Sequence, residues 1–168
     1  KPVEAGGVDA VLVGASVGNL LAGYETTLPV TLDQMIYHAR STRAGVKRAL
    51  LIVDMPFLTY QVSPQRALLN CGRVMAEGGA DAVKLDGASE SVLAAVRAVV
   101  GAGIPVMGHL GFTPQSVNTL GGSRVQARDD ASAKKMGEDA KKLEHAGAVA
   151  SGVERLPGKG AARVTASI

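Results

Sequence analysis

The 168-residue sequence contains no tryptophan, only two phenylalanines and only three tyrosines. Proteins that grip single-stranded nucleic acid stack bases on aromatic rings, so this scarcity argues against that partner. Charge of one sign is also missing as a block. The net charge is +3, and the lysines come in short pairs, Lys134-Lys135 and Lys141-Lys142, which read as the solvated face of a helix. The one cysteine, Cys71, cannot close an internal disulfide, and it falls in a helical pattern as a small core residue. No apolar run approaches the roughly 18 residues of a membrane span. No signal-peptide pattern is visible, and the chain reads as soluble and cytoplasmic, with no membrane or nucleic-acid partner. A Gly-x-Gly-x-x-Gly fingerprint is absent: Gly14-Ala15-Ser16-Val17-Gly18 is too loose a match for a dinucleotide site, and no Walker lysine follows it.

What is present is aliphatic. Apolar residues make up 46% of the chain, and with so few aromatics the core must be Val, Leu, Ile and Ala. Such cores are common where helices pack on parallel strands. The chain reads as a single domain over 1–168, long enough for a substantial core. Residues 1–7 read as the end of a helix stopped by Gly6-Gly7, which implies a further element upstream. Short apolar runs at 8–13, 49–53, 81–85 and 104–107 predict buried strands, with a fifth at 148–153 interrupted by Ser151-Gly152.

Helices are predicted between them. Thr31 caps one over 32–44, with Asp33 in its first turn, and Ser63 with Pro64 opens another that ends at Gly78-Gly79. Two more run over 89–100 and from Asp129 or Asp130 to near Gly147, and a short one can follow Pro157-Gly158. Tyr37-His38 reads as packing within its helix, and His145 as a helix C-terminal residue favoured by the dipole.

Helix, Gly-containing turn, short apolar strand, polar residue: this unit repeats. It gives a parallel sheet with right-handed crossovers. An open doubly wound sheet and a (β/α) barrel both fit. The barrel is favoured because polar residues recur at successive strand ends, which converge on one mouth only in a barrel. Those residues are Ser16, Asp54, Lys84 with Asp86, His109 where its apolar run stops, and Glu154.

Their types form a coherent set. Asp54 and Asp86 suit a hard cation such as Mg²⁺, which takes one or two carboxylates and keeps waters. Lys84 can neutralise a carboxylate or an oxyanion, His109 can donate to a substrate oxygen, and Glu154 can act as a general base. Each residue also has a plainer reading. Asp54 can satisfy loop N–H groups, Lys84 can pair with Asp86, His109 can be a satisfied core histidine, and Glu154 can pair with Arg155. Their common position favours chemistry.

The stretches Gly23-Tyr24 through Thr27-Leu28-Pro29-Val30-Thr31, Asp54-Met55-Pro56-Phe57, Ala80-Asp81-Ala82-Val83-Lys84-Leu85 and Gly108-His109-Leu110-Gly111-Phe112-Thr113-Pro114-Gln115-Ser116-Val117-Asn118 resemble the ketopantoate hydroxymethyltransferases. The loop with Gly121-Gly122 and Val125-Gln126 also fits, and the match runs nearly end to end. The resemblance implies a TIM-type (β/α)₈ barrel, here incomplete, without the first and last strands. It implies transfer of a hydroxymethyl group from 5,10-methylenetetrahydrofolate to 3-methyl-2-oxobutanoate, giving ketopantoate for pantothenate synthesis. Mg²⁺ would be the cofactor, the oxo acid and the folate the small-molecule partners, and the assembly a homo-oligomer (a decamer in the family).

By position, the resemblance makes Asp54 a Mg²⁺ ligand close to substrate and Asp86 a second ligand. It makes Ser16, Lys84 and His109 substrate-binding and Glu154 the base that removes the C3 proton. Residues that bind the folate are not assigned. The chain departs from the family at Ala15, where the family has a metal-ligating Asp, at Asp86 in place of Glu, and at Ala127 in place of Gly. The alanine at 15 and the missing strands carry the expectation of impaired activity. Two other readings remain: a non-catalytic oxo-acid-binding or assembly subunit, and another enolate-forming barrel enzyme such as a lyase, against which Thr113-Pro114-Gln115-Ser116 speaks.

Overall fold

Helix starts in this chain are written in its capping residues, and they fix where each strand can begin and end. The computed structural model describes residues 2–116, 118, 125–127 and 129–166. The part of the Gly121-Gly122 loop between 119 and 124, together with Val117, lies outside the described residues. A single turn, α1 (Pro2–Ala5), precedes β1 (Ala10–Val13) and a short helix α2 (Val17–Leu20) that the sequence did not announce. In α3 (Leu32–Gly45) the Thr31 hydroxyl accepts from the Gln34 N–H while the Gln34 side chain accepts from the Thr31 N–H, a reciprocal capping box.

β2 (Leu50–Asp54) leads to α4 (Pro64–Gly78), capped by Ser63 and closed by Gly79 in the left-handed region. β3 (Ala82–Asp86), α5 (Glu90–Gly101) and β4 (Val106–Gly111) follow. A 3₁₀ turn (Pro114–Ser116), α6 (Asp130–His145), β5 (Ala150–Glu154) and α7 (Gly158–Thr165) complete the order.

The five strands pair in parallel in the order β1-β2-β3-β4-β5. Each successive pairing across a helix is the crossover that the alternation demands. Side chains alternate between the faces, so register decides which residues share one. Asp54 pairs with Lys84, Asp86 with His109, His109 with Gly152, and Gly111 with Glu154. Stepping by two along each strand, Asp54, Lys84, Asp86, His109 and Glu154 all lie on one face at the C-terminal ends. The opposite face carries Leu51, Val53, Val83, Leu85 and Val106, fully buried under the helices.

The sheet is curled. In a flat sheet β1 and β5 would stand about 19 Å apart, four spacings of roughly 4.8 Å. Yet residues after β1 and Glu154 at the end of β5 line one cavity of about 240 Å³. The structure is a five-stranded parallel half-barrel with helices on its outer face.

Two expectations need correction. The apolar run predicts the end of β4 at residue 107, with His109 beyond it; the strand runs on to Gly111, so His109 is a strand residue. A buried polar ring need not end a strand when a neighbouring strand supplies its partner, and Asp86 does. Tyr37 does not pack in the core. It is 66% exposed, because α3 turns Met35, Ile36 and Ala39 inward, and its ring stands edge-to-face with that of His38, centroids 5.2 Å apart.

Candidate active site

Three glycines set the packing around the polar face, one from the helix side and two from the face itself. Gly108 lies under α6, where a β-carbon would come within 2.7 Å of Leu143 Cδ1, so the helix packs directly on β4. Gly152 pairs opposite His109, and a β-carbon there would stand 3.6 Å from the ring and 2.9 Å from Met107 Cε. The interruption of the fifth apolar run is thus the space for the imidazole. Gly111 has φ +93°, and a β-carbon would lie 2.2 Å from the Glu154 carbonyl oxygen. Only glycine permits that approach, which lets the Phe112 N–H donate to the same carbonyl at 2.9 Å.

On this scaffold the charged groups form a chain. Lys84 Nζ donates to Asp54 Oδ1 at 2.5 Å and lies 3.7 Å from Asp86 Oδ1. Asp86 Oδ1 accepts from His109 Nδ1 at 2.9 Å. A carboxylate accepts, so the ring proton on Nδ1 points at Asp86 and fixes the orientation of the imidazole. Nε2 is 3.6 Å from Glu154 Oε2. Asp54, Lys84, Asp86 and His109 are buried, whereas the Glu154 side chain is 47% exposed at the cavity mouth, with Arg155 Nε 3.9 Å from its other oxygen. Buried charges persist only when paired, and here each buried ion has a partner on the adjacent strand.

The sequence missed the support behind this chain. Tyr60, fully buried, places its hydroxyl within 3.0 Å of the Asp86 N–H and 3.2 Å of the Asp86 carbonyl oxygen. Burial, then the nearby Asp86 charge, pushes the Tyr60 phenol well above its ordinary range, so it stays a neutral hydrogen-bonding group. Gln115 donates to the Met55 carbonyl at 2.8 Å and accepts from Gln61 Nε2 at 3.2 Å. The only available signal was a polar residue within the specific Thr113–Ser116 block. Cys71 lies in the helical core, where burial pushes its thiol up to about 12, which removes it from nucleophilic chemistry.

The side nearest β1 is built differently. Ala15, buried, offers only its N–H, which donates to Asp54 Oδ2 at 2.9 Å. Ser16 begins α2 with no capping bond from its hydroxyl and lines the cavity. All the residues singled out at strand ends come together here except that His109 stands behind the cavity wall, reaching it through Asp86 and Glu154.

A divalent cation that prefers oxygen and retains waters needs one or two protein carboxylates. The cavity lining holds the carboxylates of Asp54, Asp86 and Glu154 against the single ammonium of Lys84, a surplus of negative charge. That donor set fits Mg²⁺ held by Asp54 and Asp86 with water or substrate completing the shell. It does not fit an all-protein cage. Among the described residues no group of three or more His, Cys, Asp or Glu is placed to hold a metal. No helix among them is long and apolar enough to cross a membrane.

Comparison with known proteins gives the family and the fold. The chain is similar to the 3-methyl-2-oxobutanoate hydroxymethyltransferase of Salinibacter ruber, 52% identical over 99% of the chain and 62% of that protein. It is 47% identical to that of Clostridium novyi over the whole chain and 61% of that protein. It therefore spans about three-fifths of the length of these curated relatives. Among solved structures, oxaloacetate acetylhydrolase superposes with a TM-score of 0.70 at 14% identity, over 99% of this chain and 58% of that one. A 2,3-dimethylmalate lyase of the PEP mutase/isocitrate lyase superfamily gives 0.69 at 17%, over 99% and 59%. These two likenesses speak for the fold alone, a barrel-type α/β architecture. The family model described as ketopantoate hydroxymethyltransferase matches residues 1–168, and the chain belongs to that family.

Proposed function

We propose that this chain acts on a small branched 2-oxo acid in its family's reaction. A hydroxymethyl group passes from 5,10-methylenetetrahydrofolate to 3-methyl-2-oxobutanoate, giving ketopantoate for pantothenate synthesis. The observation that carries this reading is the Asp86–His109–Glu154 chain: a carboxylate at a cavity mouth, backed by an imidazole that a second, buried carboxylate orients.

Glu154 takes the C3 proton; the C3–H electron pair becomes the C2=C3 bond, and the carbonyl pair moves onto the C2 oxygen, forming an enolate. His109, oriented by Asp86, sets Nε2 beside the Glu154 carboxyl and contacts the substrate or product oxygen. Lys84 sets its positive charge beside the oxo-acid oxygens. The one-carbon unit enters as CH₂ together with the hydroxyl of a water. The proton of that water and the C3 proton end on the two nitrogens of tetrahydrofolate.

Mg²⁺, when held by Asp54 and Asp86, supplies positive charge to the enolate oxygen. Ala15 removes one carboxylate from that set, so turnover falls below that of relatives that carry an Asp there. Ser16 holds the substrate carboxylate. The same reading makes the protein a cytoplasmic homo-oligomer whose partners are the oxo acid and the folate.

The test is deuterium exchange at C3 of 3-methyl-2-oxobutanoate in D₂O, followed by NMR, with a ketopantoate-formation assay beside it. Exchange that Glu154→Gln abolishes supports the reading. Binding without exchange marks a non-catalytic subunit, and turnover equal to that of a full-length relative removes the claim of impairment.

A further inference from the structure

Two adjacent threonines in the segment before α3 differ in one respect. The Thr26 hydroxyl accepts from the Leu28 N–H at 3.4 Å, whereas the Thr27 hydroxyl, in a residue only 5% exposed, has no hydrogen-bond partner. Thr27 is the one such buried side-chain polar atom among the described residues. Its backbone is not free to drift. The Thr27 carbonyl accepts from the Val30 N–H at 3.2 Å, and the residues on both sides of it pack on Gly18, where a β-carbon would stand 2.6 Å from Val30 Cγ2 and 3.5 Å from the Thr26 carbonyl oxygen. Thr27 lines the cavity with Ser16, Asp54 and Lys84, and it also lines the neighbouring cleft beside Ser16.

A buried hydroxyl without a partner is destabilising, and folded chains rarely keep one that has no use. In threonine a step of one staggered well about a single bond carries the hydroxyl into the place of the methyl and the methyl into that of the β-hydrogen.

We propose that Thr27 is a substrate-binding residue. Its hydroxyl rotates to donate to the carboxylate of the bound 2-oxo acid, at the Ser16 end of the cavity and away from Glu154. The proposal rests on the reading of the cavity as an oxo-acid site. It assigns the ligand carboxylate to the β1 side, opposite the proton-transferring groups. A bond to a charged acceptor is stronger than one between neutral groups, so its loss weighs on affinity.

The experiment compares wild type, Thr27→Val and Thr27→Ser by calorimetric titration with 3-methyl-2-oxobutanoate in Mg²⁺ buffer and by thermal unfolding without ligand. Valine keeps the shape and removes the hydroxyl. The expected result has two parts that point in opposite directions. Thr27→Val binds the oxo acid roughly 10-fold or more weakly, while its ligand-free melting temperature rises by about 2–4 °C as the unpaired group disappears. Thr27→Ser keeps wild-type affinity. A merely structural threonine would lower the melting temperature when replaced and leave the affinity of the folded protein unchanged. If wild type binds and Thr27→Val binds equally well, the proposal is overturned and the oxo-acid reading stands. If wild type binds no 2-oxo acid, both fall together.

Discussion

The two sides of the cavity are held in different ways. On the β3–β5 side every buried polar group is fixed by a neighbour: Lys84 by Asp54, Asp86 by His109 and Tyr60, and the Glu154 backbone by Phe112. On the β1 side the hydroxyls wait. The Ala15 N–H is already engaged by Asp54, but Ser16 brings a hydroxyl without a capping bond and Thr27 a hydroxyl with no partner. Proton-moving groups have to be in place before the substrate arrives, because a misplacement of about 1 Å costs rate. Groups that only hold the substrate can find their partners when it binds. The division follows the backbone: the fixed side stands on strands in register, the waiting side on a loop and one short helical turn.

The comparison is broken most severely by removing the central acceptor of the fixed side. Asp86→Ala leaves His109 Nδ1 unpaired and takes from Lys84 one of its two carboxylates, in a place where the Asp86 side chain is only 6% exposed. Removing one partner of a buried ion pair costs about 3–5 kcal/mol, to be read from the shift in urea midpoint. A variant that loses less than about 1 kcal/mol would mean that Lys84–Asp54 alone satisfies this cluster.

Gly111→Ala attacks the same side through the backbone. Its β-carbon would meet the Glu154 carbonyl at 2.2 Å in a residue whose φ is +93°. Strain in the left-handed region and the forced shift of β5 together cost about 3 kcal/mol. Because the clash falls on Glu154 itself, C3 exchange should fall in the remaining folded protein as well. Retained exchange would show that Glu154 tolerates displacement, and that the fixed side is less exacting than its geometry implies.

How much of this was legible in the sequence divides along the same line. The strands of the fixed side announce themselves because each is a short aliphatic run followed by, or ending in, a polar residue, and parallel pairing brings Asp54, Lys84, Asp86 and Glu154 to one face. His109 misled at its boundary, since a polar residue looks like the end of an apolar run until Asp86 is seen beside it. Tyr60 and Gln115 were not legible. Their roles depend on hydrogen bonds to the carbonyls of Asp86 and Met55, and carbonyl placement has no sequence signature. Thr27 lay within a quoted family stretch, yet its lack of a partner is a three-dimensional fact. The short helix α2 was hidden because Ser16-Val17-Gly18 carries no side-chain cap and a glycine in its first turn.

On the waiting side, Ala15→Asp tests whether the missing carboxylate is the difference. Ala15 is 4% exposed, and its N–H already bonds Asp54. A carboxylate there, beside those of Asp54, Asp86 and Glu154, raises the negative surplus of the cavity, so without metal the variant should lose about 1–2 kcal/mol through burial and like-charge repulsion. Added Mg²⁺ should recover that loss, because a cation that binds only the folded state stabilises it. Wild type, with only Asp54 and Asp86 to hold the cation, should gain less from the same Mg²⁺. Equal Mg²⁺-dependent shifts in melting temperature for the two proteins would show that position 15 does not face the cation.

The smallest effect concerns strain hidden on the fixed side. Just after Glu154, Arg155 has φ +52°, and the Gln126 N–H donates to its carbonyl at 2.8 Å; the next residue in that loop, Ala127, has φ +51°. An L-residue in the left-handed region loses roughly 1–2 kcal/mol. Glycine at the same place relieves that but gives the unfolded chain extra freedom, offsetting about 0.4–1 kcal/mol. Relief of the strain outweighs the added freedom, so Ala127→Gly should raise stability by about 0.5–1 kcal/mol, read from the urea midpoint at constant m-value. C3 exchange should not change, because the Gln126–Arg155 bond uses backbone groups that the substitution leaves in place. If stability rises and exchange falls, the strain at Ala127 is helping to hold Arg155 and Glu154. The fixed side would then owe part of its order to a loop rather than to strand register alone.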